Sequence, residues 1–216
     1  MNSIAKHVRK GTTTVGIVCK EGIVLAADKR ATAAGRIVLN KDIEKVYKLT
    51  DTLAVTIAGN VSDLQLVTKL IKAEIAIKTM RTGKAPTVEE AANLLGNIVY
   101  HNIRKFSTIP GITAFLLAGK DELGLHLYEL GPDGSIMEHK KYMADGSGFM
   151  SALGVLDALY VSSDISVNEG VKLAVRAINA AMQRDAATGE GIDVITVTTD
   201  GIKKVFAKKV DATITA

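Results

Sequence analysis

Gly11-Thr12-Thr13-Thr14-Val15-Gly16 places three hydroxyl side chains at the head of an apolar run. A hydroxyl can attack a carbonyl once a base takes its proton, although threonine is also an ordinary strand residue and the run alone fits β-propensity. Asp28 closes the apolar stretch Gly22-Ile23-Val24-Leu25-Ala26-Ala27, where a buried carboxylate needs a partner. Lys45 precedes another apolar stretch and, taken singly, reads as a surface lysine. Ser147 between two glycines reads as a turn serine, Asp185 as a helix-end carboxylate and Gly59 as a strand-to-helix turn glycine. His7, His101, His126 and His139 lie far apart, without cysteine or carboxylate at ligand spacing, so no structural metal is expected. Walker-type, strand-linked GxGxxG and GxSxG motifs are absent from the sequence.

These residues need a scaffold, and 216 residues with 47% hydrophobic content are enough to bury a core. The charged fraction of 23% argues against disordered and coiled-coil classes. No apolar run is long enough to span a bilayer, and Met1 to Gly11 lacks a signal-peptide core, so a cytoplasmic protein without a membrane partner is expected. The single cysteine, Cys19, suits a reducing compartment. A net charge of +4 is spread along the chain, and with 4% aromatics no nucleic-acid surface is expected.

Hydrophobic periodicity predicts strands at 13–19 and 23–28, then at 45–49 and 53–58, ending at Gly59. Leu64, Val67, Ile71 and Ile75 recur at helical spacing, with a stop at Gly83 and Pro86. Thr87 to Glu90 forms a capping box that opens a second helix toward Phe106. The order then repeats. Strands are expected at 112–118, 123–130 and 136–143, helices at 150–160 and from Ser166 to Arg184, and closing strands at 193–199 and 202–207. Strands, helix pair, strands, helix pair and strands predict an α+β fold: a single-domain, four-layer αββα sandwich of two mainly antiparallel sheets flanked by helix pairs.

The Gly11-Thr12 junction, Ala27-Asp28-Lys29-Arg30, Lys45, Ile57-Ala58-Gly59, Asp145-Gly146-Ser147-Gly148 and Arg184-Asp185-Ala186-Ala187-Thr188-Gly189 occur in one order. Together they resemble a β-subunit of the 20S proteasome of archaeal type, an N-terminal-nucleophile hydrolase, over about Thr12 to Ala207. The resemblance implies a threonine endopeptidase. Residues 1–11 would be a propeptide removed by self-cleavage at Gly11-Thr12, leaving a catalytic domain over residues 12–216. Thr12 would then supply both the nucleophilic hydroxyl and, as the base, an α-amine, a group that ordinarily titrates at ~7.7 to 8.0.

By the same resemblance, Lys45 activates the hydroxyl, Asp28 orients Lys45, Arg30 supports the pair, and Ser147, Asp185 and Thr188 surround the amine. Thr188 stands where the family more often has serine. The Gly59 backbone would serve the oxyanion, and Ala31, Ile43, Ile57 and Val61 would form the first specificity pocket, favouring cleavage after hydrophobic residues. These four residues could equally be ordinary core. The stretch from Arg30 to Lys45 is one residue longer than the family pattern, with the addition in or near Ala33-Ala34-Gly35-Arg36. Strict spacing would put Glu44 in the lysine's place; the following strand favours Lys45, because a turn absorbs an insertion more cheaply than a strand.

No cofactor is implied. Implied partners are other β-subunits in a seven-membered ring, proteasome α-subunits, unfolded polypeptides and, through the α-ring, a regulatory ATPase. The alternatives are a non-catalytic structural ring member and an amidase of the same nucleophile class acting on a small molecule.

Overall fold

The computed structural model describes residues 11–33 and 37–209. The ten residues expected to form most of the propeptide, and most of the segment holding the added residue, lie outside the described residues. Four layers stack. The first sheet has the order β10-β1-β2-β11-β12, built from β1 (Thr13–Cys19), β2 (Gly22–Asp28), β10 (Tyr142–Gly146), β11 (Gly191–Thr198) and β12 (Gly201–Lys209). The second has the order β5-β6-β7-β8-β9, built from β5 (Val46–Lys48), β6 (Leu53–Gly59), β7 (Thr113–Asp121), β8 (Gly124–Leu130) and β9 (Ile136–Glu138). Each of the strand pairings is antiparallel.

Helices α1 (Val61–Thr82) and α2 (Val88–Arg104) cover the second sheet, with Leu64, Val67, Ile71, Ile75, Leu95 and Val99 packed on Phe115 and Leu117. Helices α3 (Phe149–Leu159) and α4 (Val167–Arg184) cover the first, with Leu156, Leu173, Ala177 and Ile178 on Val15, Ile17 and Val24. Between the sheets lie Ile23, Leu25, Leu116, Leu127 and Ile195. Strand β2 is buried throughout, which is why its sequence runs apolar without alternation.

Local signals set the helix ends. Thr87 Oγ1 accepts the Glu90 N–H at 3.1 Å while Glu90 accepts the Thr87 N–H at 2.9 Å, and Ser166 and Glu169 repeat the exchange at 3.3 and 2.8 Å. Gly83 ends α1 in the left-handed region at φ 68°, its N–H bonded to Thr79 O.

Two expectations need correction. The run 136–143 is two strands rather than one: β9 pairs with β8, and β10 pairs with β1 in the other sheet. His139-Lys140-Lys141 carries the chain across, a crossing unmarked by glycine or proline. The stretch between the strands expected at 23–28 and 45–49, where no element was expected, also contains a small hairpin, β3 (Ala31–Ala33) with β4 (Ile37–Asn40), whose β4 side chains are exposed and so leave no burial pattern.

The layer between the sheets sets the global stability. Leu116→Ala, at a position with no solvent exposure, is expected to cost about 2–5 kcal/mol, read as a lower denaturation midpoint at unchanged m-value.

Candidate active site

At one end of the two sheets, β1 begins, β2 ends and β6 runs out into α1, leaving a recess lined by Gly11, Thr12, Arg30, Ala31, Thr32, Ile43, Lys45, Ile57, Gly59, Val61 and Leu64. Thr12 and Lys45 therefore share one cavity with the four apolar residues expected to form a pocket. Thr32, which the sequence did not single out, and Leu64, expected only as a helix-face residue, complete it.

Asp28 is the hub. Its Oδ1 accepts the Lys45 ammonium at 2.7 Å and the Thr13 N–H at 3.0 Å, and its Oδ2 accepts the Arg30 and Gly189 N–H groups, both at 3.0 Å. A carboxylate has about four acceptor directions, so this one is fully satisfied while buried. Lys45 is only 4% exposed, and burial pulls its ammonium below the ordinary lysine range against the opposing pull of Asp28.

On the other side, Ser147 Oγ accepts the Thr12 N–H at 3.2 Å and donates to Asp185 Oδ2. Thr188 Oγ1 bonds the same carboxylate oxygen at 2.6 Å and lies 2.7 Å from Thr13 Oγ1. Thr12 Oγ1 donates to the Gly11 carbonyl at 2.7 Å, and the Gly11 N–H reaches Thr32 Oγ1 at 3.2 Å. Gly11 presses on the loop after α4: a Cβ there would fall 1.6 Å from Ala187 Cβ. Gly59 adopts φ 131°, with Ile112 O 2.3 Å from any added Cβ, so this turn accepts only glycine.

Arg30 clasps the 185–190 loop through Ala186 O at 2.8 Å and Glu190 at 3.1 Å, with its guanidinium over Gly189. Glu190 takes a left-handed φ of 67°, held by this ion pair. Glu44 is not in the recess; its carboxylate faces solvent and pairs with Lys204 at 3.0 Å. Thr13, Thr32, Gly189 and Glu190 were the contacts that sequence reasoning missed. Thr13 was visible only as a member of the hydroxyl run, and the Gly189 role rests on a backbone amide that has no side-chain signature.

The sequence pattern of the proteasome subunit family matches residues 8–197. The chain belongs to the proteasome β-subunit family. It is 42% identical to "Proteasome subunit beta" of Ferroglobus placidus over 97% of both chains, and 44% identical to that of Methanocaldococcus jannaschii over 91% of this chain and 85% of the relative. A relative of the same name from Archaeoglobus fulgidus is 40% identical over 93% of this chain and 91% of its own. Proteasome β-subunits are, as a family, threonine proteases that work within an assembled core of several subunits. No helix among the described residues of this subunit is long and apolar enough to cross a membrane.

One carboxylate in the Asp145-Gly146-Ser147-Gly148 motif stands apart. Asp145 Oδ2 is buried without a hydrogen-bond partner among the described residues, and burial pushes the acid from an ordinary 3.8 up to about 6. Above pH 6 the folded subunit therefore carries a poorly solvated charge that the unfolded chain hydrates. Asp145→Asn is expected to raise the melting temperature at pH 8, with the gain shrinking as pH falls from 6 and vanishing below about 4. A gain that is the same at every pH would contradict this assignment.

Proposed function

We propose that this β-subunit is itself a working threonine endopeptidase whose nucleophile is Thr12. The observation that carries the reading is that Thr12 lines one recess with Lys45 while its nitrogen meets Ser147. Lys45 is paired with Asp28 at 2.7 Å; Ser147, 3.2 Å from the Thr12 nitrogen, is itself tied to Asp185.

Residues 1–11 act as a propeptide. Cleavage of Gly11-Thr12 converts the Thr12 amide nitrogen into a free α-amine. That amine accepts the Thr12 Oγ1 proton as the oxygen attacks the carbonyl carbon of a bound peptide. The Lys45 ammonium favours the developing alkoxide and holds down the amine's basicity by like-charge repulsion, without itself giving up a proton. Asp28 aims it, and Arg30 braces the loop bearing Asp185 and Thr188. The tetrahedral oxyanion meets the Gly59 N–H. Collapse expels the amine of the departing peptide, which takes the proton, and leaves an ester on Thr12. Water, deprotonated by the same α-amine, hydrolyses the ester and frees the acid product.

Ala31, Ile43, Ile57 and Val61 give the recess an apolar wall suited to a hydrophobic residue before the scissile bond. The substrates are unfolded polypeptides. The working assembly is a seven-membered ring with α-subunits and an ATPase acting through them, and it uses no cofactor.

Thr12→Ala particles are expected to keep residues 1–11 and to lose peptidase activity while still assembling, checked by intact mass and peptide hydrolysis. A chain beginning at residue 12 in such particles would sink the self-cleavage claim, and unchanged hydrolysis would sink the nucleophile.

Lys45→Ala should reduce turnover ~10²-fold or more, because it removes the positive charge beside Thr12 and leaves Asp28 buried without its ion-pair partner. Glu44→Ala should cost less than about tenfold, the loss of one exposed pair. The reverse ranking, assayed on assembled particles with a short peptide, would return the lysine's place to Glu44. A processed, assembled wild-type particle without hydrolysis would favour a structural ring member.

A further inference from the structure

The segment that delivers Lys45 has almost no regular structure. Residues 41–45 lie between β4 and β5 without sheet pairing, and backbone ties hold the segment from Ile43 N–H to Lys29 O at 3.0 Å and from Ile57 N–H to Lys45 O at 2.9 Å. Its side chains alternate. Ile43 and Lys45 line the recess, while the carboxylates of Asp42 and Glu44 reach a group of charges that the peptidase chemistry leaves unused.

Asp193, on β11, is the centre of that group and has no solvent exposure. Its Oδ2 accepts Lys29 Nζ at 3.0 Å, and Lys29 Nζ also meets Asp42 Oδ1 at 2.9 Å. Its Oδ1 is buried and accepts no hydrogen bond among the described residues; it lies 3.3 Å from Lys204 Nζ as an ion-pair contact, and that ammonium also meets Glu44 Oε1 at 3.0 Å. The result is a chain of charges, Asp42–Lys29–Asp193–Lys204–Glu44, that grips the loop on both sides of Ile43 from one buried carboxylate. Burial pulls the Lys29 ammonium down, but its bonds to Asp42 and Asp193 more than offset this, so the lysine stays charged. Lys204 behaves in the same way with Glu44 and Asp193.

A buried carboxylate in a sheet is a costly way to fill space. An apolar residue of similar volume at such a position is often as stable or more so, and so packing alone does not account for Asp193. Lys29 directly follows Asp28 in sequence, and the network therefore fixes the lysine-bearing loop relative to the acid that Lys45 must reach.

We propose that Asp193 is a positioning residue for the reaction: through Lys29 and Lys204 it holds the 42–45 loop so that Lys45 reaches Asp28 and Thr12 while Ile43 stays in the pocket wall. The proposal rests on Thr12 as nucleophile and Lys45 as its activating charge. The network also gives the extended β3–β5 connection a fixed end, whatever its length upstream.

The test uses fully assembled particles, with active sites counted by an irreversible peptide electrophile so that turnover is expressed per competent site. Asp193→Asn is expected to lower kcat per site about tenfold with KM within about threefold, because a displaced general-acid–base or electrostatic group costs rate more than ground-state binding. Lys204→Met and Glu44→Gln, both at the exposed arm, should each lower kcat per site about threefold. Lys78→Met, which breaks the Lys78–Glu90 pair between α1 and α2, should leave it unchanged. A merely structural role would reduce the number of competent sites or the melting temperature without moving kcat per site. Wild-type kcat per site in Asp193→Asn, or a change in KM alone, overturns the proposal. Should Asp193→Asn fail to assemble, unchanged kcat per site in both Lys204→Met and Glu44→Gln overturns it instead. Residual turnover in a Thr12→Ala particle strikes the nucleophile reading, and this proposal falls with it.

Discussion

The four hydrogen bonds to the Asp28 carboxylate hold the site together. They join the start of β1 through Thr13, the turn after β2 through Arg30, the loop after α4 through Gly189, and the segment before β5 through Lys45. These segments come from both ends of the chain and from both sheets, so no local propensity could align them. A charge buried at this depth is stable only with its partners in place. The folded arrangement is therefore all-or-none at this point: a segment that failed to dock would leave a carboxylate oxygen short of a donor in a dry interior.

A second cluster, around Asp185, complements the first and shares no oxygen with it. Ser147 and Thr188 converge on Asp185 Oδ2, and Thr188 reaches across to Thr13. Thr13 thus joins the two clusters, with its backbone on Asp28 and its hydroxyl on Thr188. Thr12, one residue earlier, is fixed from both directions while its own hydroxyl turns back to the Gly11 carbonyl. Arg30 ties the clusters together from below by bonding to Ala186 and Glu190.

Much of this was legible in the sequence, for identifiable reasons. Capping boxes at Thr87 and Ser166 act within a few residues, so their reading needed no tertiary knowledge. The four-layer order followed from element succession, because paired helices between paired strands leave few ways to bury both sheet faces. The failures also have physical causes. The crossing at His139 to Lys141 changes sheets without a turn residue, and a two-state hydrophobic pattern does not say which sheet a strand joins. The β3–β4 hairpin buries too little to show periodicity. Spacing alone left Glu44 and Lys45 as rivals, and the separation of their side chains comes from strand-like alternation that a one-residue shift would have inverted. The Asp193 network escaped because it joins three separate stretches of the chain, around Lys29, around Asp42 and Glu44, and from Asp193 to Lys204, and none of its members is unusual alone.

The contact between Gly11 and Ala187 has a consequence for what can stand beside Thr12. With a Cβ at position 11 only 1.6 Å from Ala187 Cβ, the position before Thr12 is closed to any residue with a side chain. The recess on which Thr12 opens, lined in part by Ile43 and Val61, is instead shaped by side chains. Two constraints therefore meet at one residue, the first gauged by backbone alone and the second by side-chain shape. Evolution can re-tune the second by substitutions in the apolar wall without disturbing the first.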